Sequence, residues 1–434
     1  MNDLIKLVPN LRFPAFIQDG EWKEQKFGSL FAFLPNNTLS RADLKEGKGD
    51  VYNVHYGDVL IKLDAYTDIQ RDKLPAIKTV DDIEKYRKAC LQDGDIVIAD
   101  TAEDETVGKC TEIVNVHNTL VVSGLHTIPC RPQTKFAQAY LGYYMNSNAF
   151  HNKLLPIMQG IKVTSISKSA LQNIDLEFPE SLEEQQKIAK CLSSIDSYIS
   201  SINEKVEQLK AHKTSLLQKL FPQKGQTVPE YRFPEFKMDE DWITNRVGDS
   251  FKLQGGFAFK SNKFNTIGIP VIRISNIPSD SLVVNLQNCV FYEELPNMRN
   301  YTANDGDLLI AMSGATTGKT AIYRGKRPVY VNQRVGIFRL IDSSIHYPFI
   351  CQWIRTEHFA SQIKKKLAAG AQPNISSNDV ESLLWQHPQN MKEQIQIASC
   401  LSTIDDLIDA YKNKLIYIEE YKKGLMQQLF PIKK

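Results

Sequence analysis

Apolar residues recur at alternating steps of four and three along two stretches of this 434-residue chain. A sustained spacing of 3.5 residues keeps one seam of a helix turned toward a partner helix, as in a coiled coil. The pattern predicts two long helices that pack on each other, each with one polar interruption, at Lys213 and at Lys422. The alternative is that each helix only covers its own globular domain, although such a helix usually has a wider apolar stripe. The seam residues are Ile188, Leu192, Ile195, Ile199, Ile202, Val206, Leu209, Leu216 and Leu220, then Ile397, Leu401, Ile404, Ile408, Tyr411, Leu415, Ile418, Leu425 and Leu429.

The two helices belong to a tandem duplication of the whole chain. PNLRFPAF at 9–16 returns as PEYRFPEF at 229–236, and EQQKIAKCLSSID at 184–196 returns as EQIQIASCLSTID at 393–405. Repeats of this length are domains rather than solenoid units. Duplication favours a pseudo-twofold arrangement, which would make the coiled coil antiparallel. The predicted organisation is a first domain at 1–179, a first helix at 180–221, a linker and second domain at 222–391, and a second helix at 392–434.

The residues between the helices indicate an α+β fold in each copy. Runs rich in Val and Ile, punctuated by Gly, Asp and Pro, come first and predict strands, among them GDVLIKL at 57–63 and GDLLIAM at 306–312. Helix-like runs follow, such as FAQAYLGYYMNS at 136–147. Strands first and helices last favour a mixed, mostly antiparallel sheet with helices to one side.

The composition excludes a disordered or collagen-like chain, and the net charge does not indicate a partner. The formal net charge of +2 and 42% hydrophobic residues are typical of a globular protein. Neither a leader pattern nor an apolar run of membrane length is evident, so we expect a cytoplasmic protein with no membrane contact. The seven cysteines lack zinc spacing, and no residue pattern indicates a metal site or a catalytic site.

The stretch SGATTGKT, residues 313–320, is similar to a phosphate-binding loop. A Walker A loop needs Gly at its first position and a helix after its Lys, whereas Ser313 stands first here and a β-type run follows Lys319. A nucleotide hydrolase that uses this loop is therefore a disfavoured alternative. Because Gly318 and Lys319 recur as Gly108 and Lys109 at the same place in the first copy, a DNA-facing loop is the better interpretation, with a plain β-turn as its alternative.

Other polar clusters supply side chains of the types that bind base edges and phosphates. The candidate DNA-binding residues are Asn36, Asn37, Arg41, His55, Lys109, Lys162, Thr164, Ser165 and Lys168 in the first copy, and Lys260, Arg273, Asn276, Ser313, Thr316, Thr317, Lys319, Asn332, Arg334, Gln372 and Asn374 in the second.

The duplicated EQQKIAKCLSSID and EQIQIASCLSTID, with LRFPAF, YRFPEF, NNTLSR, GFAFKS, IPVIRISNI and GAQPNISS, resemble the specificity subunit of type I restriction-modification systems over nearly the whole chain. The resemblance implies two target recognition domains that each read one half of a split site in double-stranded DNA, and helices that act as a spacer and as a dock for two methyltransferase subunits. It also implies a non-catalytic chain without cofactor. S-adenosylmethionine, ATP and magnesium would then belong to the methyltransferase and the restriction or translocase subunits. The alternatives are a specificity subunit of a methylation-only or fused nuclease-methylase system and a coiled-coil scaffold that binds no DNA.

Overall fold

The computed structural model describes residues 7–160, 163–278, 281–368 and 374–431. The chain divides into two compact units, the first made of Met1–Asn203 and Asn413–Lys434 and the second of Glu204–Lys412. Each unit therefore contains one globular domain together with one part of each long helix. We call residues 23–178 the first domain and residues 243–387 the second domain.

The strands are β1 (Lys23–Lys26), β2 (Phe31–Phe33), β3 (Leu44–Lys45), β4 (Val51–Val54), β5 (Tyr66–Asp68), β6 (Ala76–Ile77), β7 (Ile96–Ala99), β8 (Thr101–Ala102), β9 (Cys110–Val114), β10 (Leu120–Ser123), β11 (Thr127–Pro132), β12 (Thr164–Ser165), β13 (Asp175–Phe178), β14 (Ile243–Arg246), β15 (Phe251–Gly255), β16 (Ile269–Ile272), β17 (Val290–Tyr292), β18 (Thr302–Ala303), β19 (Leu308–Ala311), β20 (Thr320–Ile322), β21 (Val329–Val331), β22 (Val335–Leu340) and β23 (Leu384–His387). The α-helices are α1 (Phe27–Leu30), α2 (Tyr56–Ile61), α3 (Ile83–Lys88), α4 (Tyr140–Met145), α5 (Asn148–Leu154), α6 (Lys168–Leu171), α7 (Leu182–Leu220), α8 (Val247–Ser250), α9 (Tyr347–Trp353), α10 (Glu357–Ala368), α11 (Ser377–Glu381) and α12 (Met391–Leu429).

Each domain is built on two main sheets with related strand orders. The first domain has the orders β2-β11-β7-β9-β5 and β10-β4-β6-β3, and the second has β15-β22-β19-β20 and β17-β16-β21-β18. Most described strand pairs are antiparallel, but β4 and β10, β5 and β9, and β16 and β21 run parallel. The α+β prediction with a mostly antiparallel sheet is confirmed.

The prediction of a strand at GDVLIKL is wrong, because most of this segment forms helix α2. The His55 side chain caps the helix by accepting a hydrogen bond from the Gly57 amide at 3.1 Å. Val59 and Leu63, one helical turn apart, are both buried in the core. In so short a run, the apolar pattern of a buried helix resembles that of a strand.

Both predicted long helices are present, and the named seam residues are all buried or half-buried. In the first unit Ile188 and Leu192 near the start of α7 share a core with Leu429 near the end of α12. In the second unit Leu220 at the end of α7 shares a core with Ile397 near the start of α12. The helix segments in each unit therefore run antiparallel. The same helix segments also pack on the globular domain of their unit. The seam is therefore buried partly against the other long helix and partly against the domain, as the coiled-coil interpretation and its alternative each predicted in part.

Within the described ranges, no helix combines the length and the apolar character needed to cross a membrane.

Candidate nucleic-acid interface

A buried carboxylate attaches the segment that precedes each domain, residues 9–22 or 229–242 and here called the lead-in, to the start of a long helix. Glu184 of α7 accepts hydrogen bonds from Arg12 at 2.8 and 2.7 Å and from the Trp22 indole at 3.4 Å. Sequence reasoning overlooked these residues as a set, although all three recur in the second copy. The corresponding residues, which make the same hydrogen bonds, are Arg232, Trp242 and Glu393.

The glutamine after each of these glutamates ties the helix to its globular domain. Gln185 accepts a hydrogen bond from the Ala137 amide at 2.9 Å and donates to the Pro179 carbonyl at 2.8 Å. Gln394 accepts from the His346 amide at 2.8 Å and donates to the Pro388 carbonyl at 2.8 Å. The segments before α4 and α9 are thus held on the long helices by side chains that are shared by the two copies.

The lysine that interrupts each seam forms an ion pair with the other long helix. In the first unit Lys422 of α12 pairs with Asp196 of α7. Asp196 also accepts a hydrogen bond from the Tyr143 hydroxyl of α4 at 2.6 Å. One carboxylate therefore joins both long helices to the first domain.

The second unit repeats this junction with a different partner from the domain. Lys213 of α7 pairs with Asp405 of α12 at 2.5 Å, and Asp405 also pairs with Arg355, which lies just after α9. Burial, reinforced by the charge of Arg355, lowers the pKa of Lys213 to about 8. Lys213 and Lys422, which interrupt the apolar seams, therefore help to hold each domain on its pair of long helices.

The loop that is similar to a phosphate-binding loop is a tight turn between two antiparallel strands, β19 and β20. The Lys319 amide donates to the Thr316 carbonyl at 2.9 Å, and Gly318 has a φ of +80°. These are the features of a type II turn, which needs glycine at its third position. A strand rather than a helix follows Lys319, so the geometry is not that of a Walker A loop.

The first domain has the same turn. The Lys109 amide donates to the Thr106 carbonyl at 3.1 Å, and Gly108 has a φ of +88°. A β-carbon at Gly108 would lie 2.2 Å from the Leu154 side chain, so packing as well as backbone conformation requires glycine here. The repeated Gly-Lys is therefore explained first by a shared turn, and the phosphate contact of either lysine stays a prediction.

The second domain brings several of its candidate residues together where β16 and β21 end. The Thr316 hydroxyl donates to the Ile274 carbonyl at 3.0 Å, next to Arg273. Arg334 donates to the Ser313 hydroxyl at 3.4 Å. Beside them, Ser313 forms an isolated β-bridge with Asn374, and the Asn332 amide donates to the Ile272 carbonyl at 2.9 Å.

The first domain assembles the corresponding region from the ends of β4 and β10, which belong to one sheet, and from the separate strand pair β8 and β12. His55 directly follows β4, and Ser165 of β12 pairs with Thr101 of β8 as Asn374 pairs with Ser313. Thr164 lies next to Ser165 on the same strand. Seven per cent of His55 is exposed, and this burial lowers the pKa of its imidazole.

Other candidate side chains in the first domain are engaged by internal acceptors. The Lys109 ammonium is half-buried, and this burial lowers its pKa. Contact of these side chains with DNA would use their remaining donors or would replace an internal hydrogen bond with one to DNA. The internal bonds run from Asn36 to the Gly124 carbonyl at 3.3 Å, from Asn37 to the Ser123 carbonyl at 2.9 Å, from Arg41 to the Asp58 carboxylate at 2.6 Å, from Lys109 to the Leu60 carbonyl at 2.9 Å and from Lys168 to the Leu34 carbonyl at 3.5 Å.

The remaining candidates in the second domain differ in exposure. Lys260 and Lys319 are exposed. Thr317 is half-buried, and its hydroxyl donates to the Gly314 carbonyl at 2.6 Å. Asn276 is 3% exposed, with its amide group bonded to the Arg273 amide and the Asn285 carbonyl, so its side chain has a structural use. Lys162 and Gln372 lie outside the described residues.

Comparison with known sequences identifies relatives of this chain. Residues 19–211 and 239–420 match the family model described as "Type I restriction modification DNA specificity domain". The chain is 26% identical over 276 residues to the type I restriction enzyme MjaVIII specificity subunit of Methanocaldococcus jannaschii, covering 62% of this chain and 64% of that protein. It is 27% identical over 225 residues to the EcoAI specificity subunit of Escherichia coli, covering 47% of this chain and 37% of that protein. The chain thus spans less than two thirds of the length of each of these relatives.

Solved structures share the fold. The S subunit of a type I restriction-modification system from M. genitalium matches with a TM-score of 0.61 and 14% identity, over 98% of this chain and 100% of that chain. A chain from a structural study of the assembly and conformational transition of the type I R-M system matches with a TM-score of 0.55 and 15% identity, over 94% of this chain and 96% of that chain. At these identities the likeness shows a common fold.

Proposed function

The chain belongs to the type I restriction-modification DNA specificity family, and we propose that each of its globular domains reads one half of a bipartite, asymmetric DNA site. In this proposal the chain itself is non-catalytic and acts in the cytoplasm on double-stranded DNA.

The observation that carries the proposal is that one polar region, beside the ends of a parallel strand pair, is built twice on the same backbone with different side chains. Thr101 and Ser165 form the β-bridge of the first domain, whereas Ser313 and Asn374 form the corresponding bridge of the second. Base identity is read by side chains, whereas the backbone and phosphate contacts only set the position of the protein. Two readers with a common frame and different side chains would therefore prefer different half-sites.

We further propose that the two long helices set the gap between the half-sites and dock two methyltransferase subunits. Parts of α12 that do not face the seam carry exposed apolar side chains, with Tyr417 68% and Tyr421 55% exposed in the first unit. In the second unit Ile395 is 43% and Leu407 is 41% exposed. Tyr417 and Tyr421 lie one helical turn apart and so form a contiguous exposed apolar surface, which is typical of a protein-binding site.

S-adenosylmethionine, ATP and magnesium are assigned in this proposal to the methyltransferase and the restriction or translocase subunits. The geometry of the 313–320 turn, which joins two strands, supports the view that this chain does not bind a nucleotide there.

The proposal is tested by mapping methylated adenines in the DNA of cells that express this chain together with its methyltransferase partner. We expect methylation at a bipartite site, with two unlike half-sites and a fixed gap, and none when this chain is omitted. Methylation at one continuous site, or methylation that does not depend on this chain, would contradict it.

A further inference from the structure

We propose that His126 in the first domain and Arg334 in the second are corresponding base-reading residues, and that their difference contributes to the difference between the two half-sites. This inference rests on the proposed function, because it assigns side chains to the DNA-reading end of each domain. His126 does not belong to the candidates found from the sequence.

The backbone places the two residues at the same point of the fold. In the first domain β10 runs parallel to β4, and Ser123 at its end is paired with Val54. Three residues later, His126 directly precedes β11. In the second domain β21 runs parallel to β16, Val331 at its end is paired with Ile272, and Arg334 three residues later directly precedes β22.

A second set of backbone contacts confirms this correspondence. The Asp100 amide, directly after β7, donates to the His126 carbonyl at 3.1 Å. The Met312 amide, directly after β19, donates to the Arg334 carbonyl at 2.8 Å. Each residue is thus held between the parallel strand pair and the strand that precedes the Gly-Lys turn.

Both side chains are exposed and yet steadied by a neighbour. The His126 imidazole is 48% exposed and lies 3.6 Å from the Asp100 carboxylate. Its ring also meets the Tyr56 ring edge to face, with 5.4 Å between the ring centres. Arg334 is exposed, and its guanidinium donates to the Ser313 hydroxyl at 3.4 Å. A polar group that is held in place and open to solvent at one end can bond to a base edge with little further ordering.

The chemistry of the two side chains suits different bases. A guanidinium can donate two hydrogen bonds to the O6 and N7 atoms of guanine, which is the commonest specific contact in the major groove. An imidazole presents one nitrogen at a time and cannot make that pair. We therefore assign a guanine in the second half-site to Arg334 and a different contact, in the first half-site, to His126.

The test exchanges the two residues and maps methylated adenines in cells that express each variant with its partner subunits. Arg334→His should relax one guanine position of one half-site by about tenfold and leave the other half-site unchanged. His126→Arg should change one position of the opposite half-site only. His126→Asn is a second variant for this position, because asparagine tolerates the positive φ of 56° found there and pairs with adenine.

The chain offers a matched control for each exchange. Arg327→His is the control for Arg334→His, because it replaces an arginine by histidine in the turn before β21, at the opposite end of that strand from Arg334. His117→Arg is the control for His126→Arg, because it replaces a histidine by arginine in the turn before β10, where φ is also positive at 46°. Both controls should leave the methylated site unaltered, and thermal unfolding of all five variants shows whether each remains folded.

The possible outcomes separate this inference from the function on which it rests. If the wild-type chain directs methylation to a bipartite site but all exchanges at 126 and 334 leave its sequence unaltered, the inference is overturned and the function stands. A uniform loss of methylation at an unaltered site would show phosphate contacts and would also overturn it. Absence of bipartite methylation with the wild-type chain would overturn the proposed function itself.

Discussion

Glu184 and Glu393 are each 1% exposed and each binds an arginine and an indole that come from the lead-in segment. Removal of one partner from such a pair leaves a buried charge without compensation, which costs more than the pair itself contributes. The recurrence of the arrangement in both copies indicates that it serves the attachment of a domain to its helix rather than recognition, because recognition residues should differ between the copies.

We expect Glu393→Ala to lower the free energy of unfolding of the second unit by about 3–5 kcal/mol, because Arg232 is then left buried and unpaired. Denaturant unfolding followed by tryptophan fluorescence measures this change, since Trp242 contacts the same carboxylate. Glu294→Ala, at an exposed glutamate in the same unit, is the control and should change the value by less than about 0.5 kcal/mol. Equal effects of the two substitutions would show that the ion pair contributes little.

Glu112 of β9 gives the first domain a pH dependence. Its carboxylate is 2% exposed and accepts hydrogen bonds from the Ala139 and Gly142 amides at 2.7 and 3.0 Å, yet burial raises its pKa to about 7 from an ordinary 4.5. Between pH 4.5 and pH 7 the folded protein therefore holds a proton that the unfolded chain has lost. The free energy of unfolding of the first domain should fall as the pH rises through that window, by about 3 kcal/mol.

Denaturant unfolding of the wild-type chain and of Glu112→Gln at several pH values measures this effect. The difference between the two should change with pH in that window, whereas the exposed control Glu84→Gln should run parallel to the wild type. If Glu112→Gln also runs parallel to the wild type, Glu112 does not titrate there.

At the scale of elements, the long helices could be predicted from the sequence, but the role of the lysines that interrupt their apolar seams could not. The spacing of the seam residues is visible within each helix segment, so the sequence alone is enough to find it. The partner of Lys213, in contrast, is Asp405, which lies 192 residues away and pairs also with Arg355 of the domain. Only the folded chain brings these three residues together. The error at α2 has this origin only in part, since the core contacts of Val59 depend on the folded chain whereas the cap from His55 is local.

We expect Asp405→Asn to destabilise the second unit by about 2–3 kcal/mol, because Lys213 and Arg355 lose their shared counter-charge in a largely buried place. The adjacent Asp406 is exposed, so Asp406→Asn is a matched control with an expected effect near zero. Hydrogen exchange of the amides of α7 and α12 in both variants measures the difference. Comparable protection in the two variants would contradict the role given to the junction.

Several of the candidate residues named from the sequence lie together in the structure, and their contact with DNA stays a prediction. His55, Ser165, Arg273, Ser313, Arg334 and Asn374 do lie at corresponding ends of the two domains. Asn276, by contrast, has a side chain of the right type that is used internally. His126, proposed above as a base-reading residue, stands in the apolar stretch VVSGLHTIPC and so lay outside the polar clusters from which the candidates were taken. Its correspondence with Arg334 becomes visible only when the backbone aligns the two copies.

At the scale of the whole chain, each domain is inserted between its lead-in and its long helix through one antiparallel strand pair. β1 and β13 pair with Lys23 opposite Phe178, and β14 and β23 pair with Ile243 opposite His387. The ends of each domain are therefore neighbours, and the two entry points have the same geometry. Because the carboxylates that attach the lead-ins lie outside these strands, replacing one domain by the other leaves those ion pairs in place, although Asp405 would then face the tyrosine that corresponds to Tyr143 instead of Arg355.

The most direct test of the account is a chain in which residues 243–387 are replaced by a second copy of residues 23–178, with adenine methylation mapped in cells that express it with its partners. We expect the second half-site to be lost and to be replaced by a repeat of the first, while the gap between the half-sites stays the same. Methylation that retains the original second half-site would contradict the central claim that each domain reads one half of the DNA target.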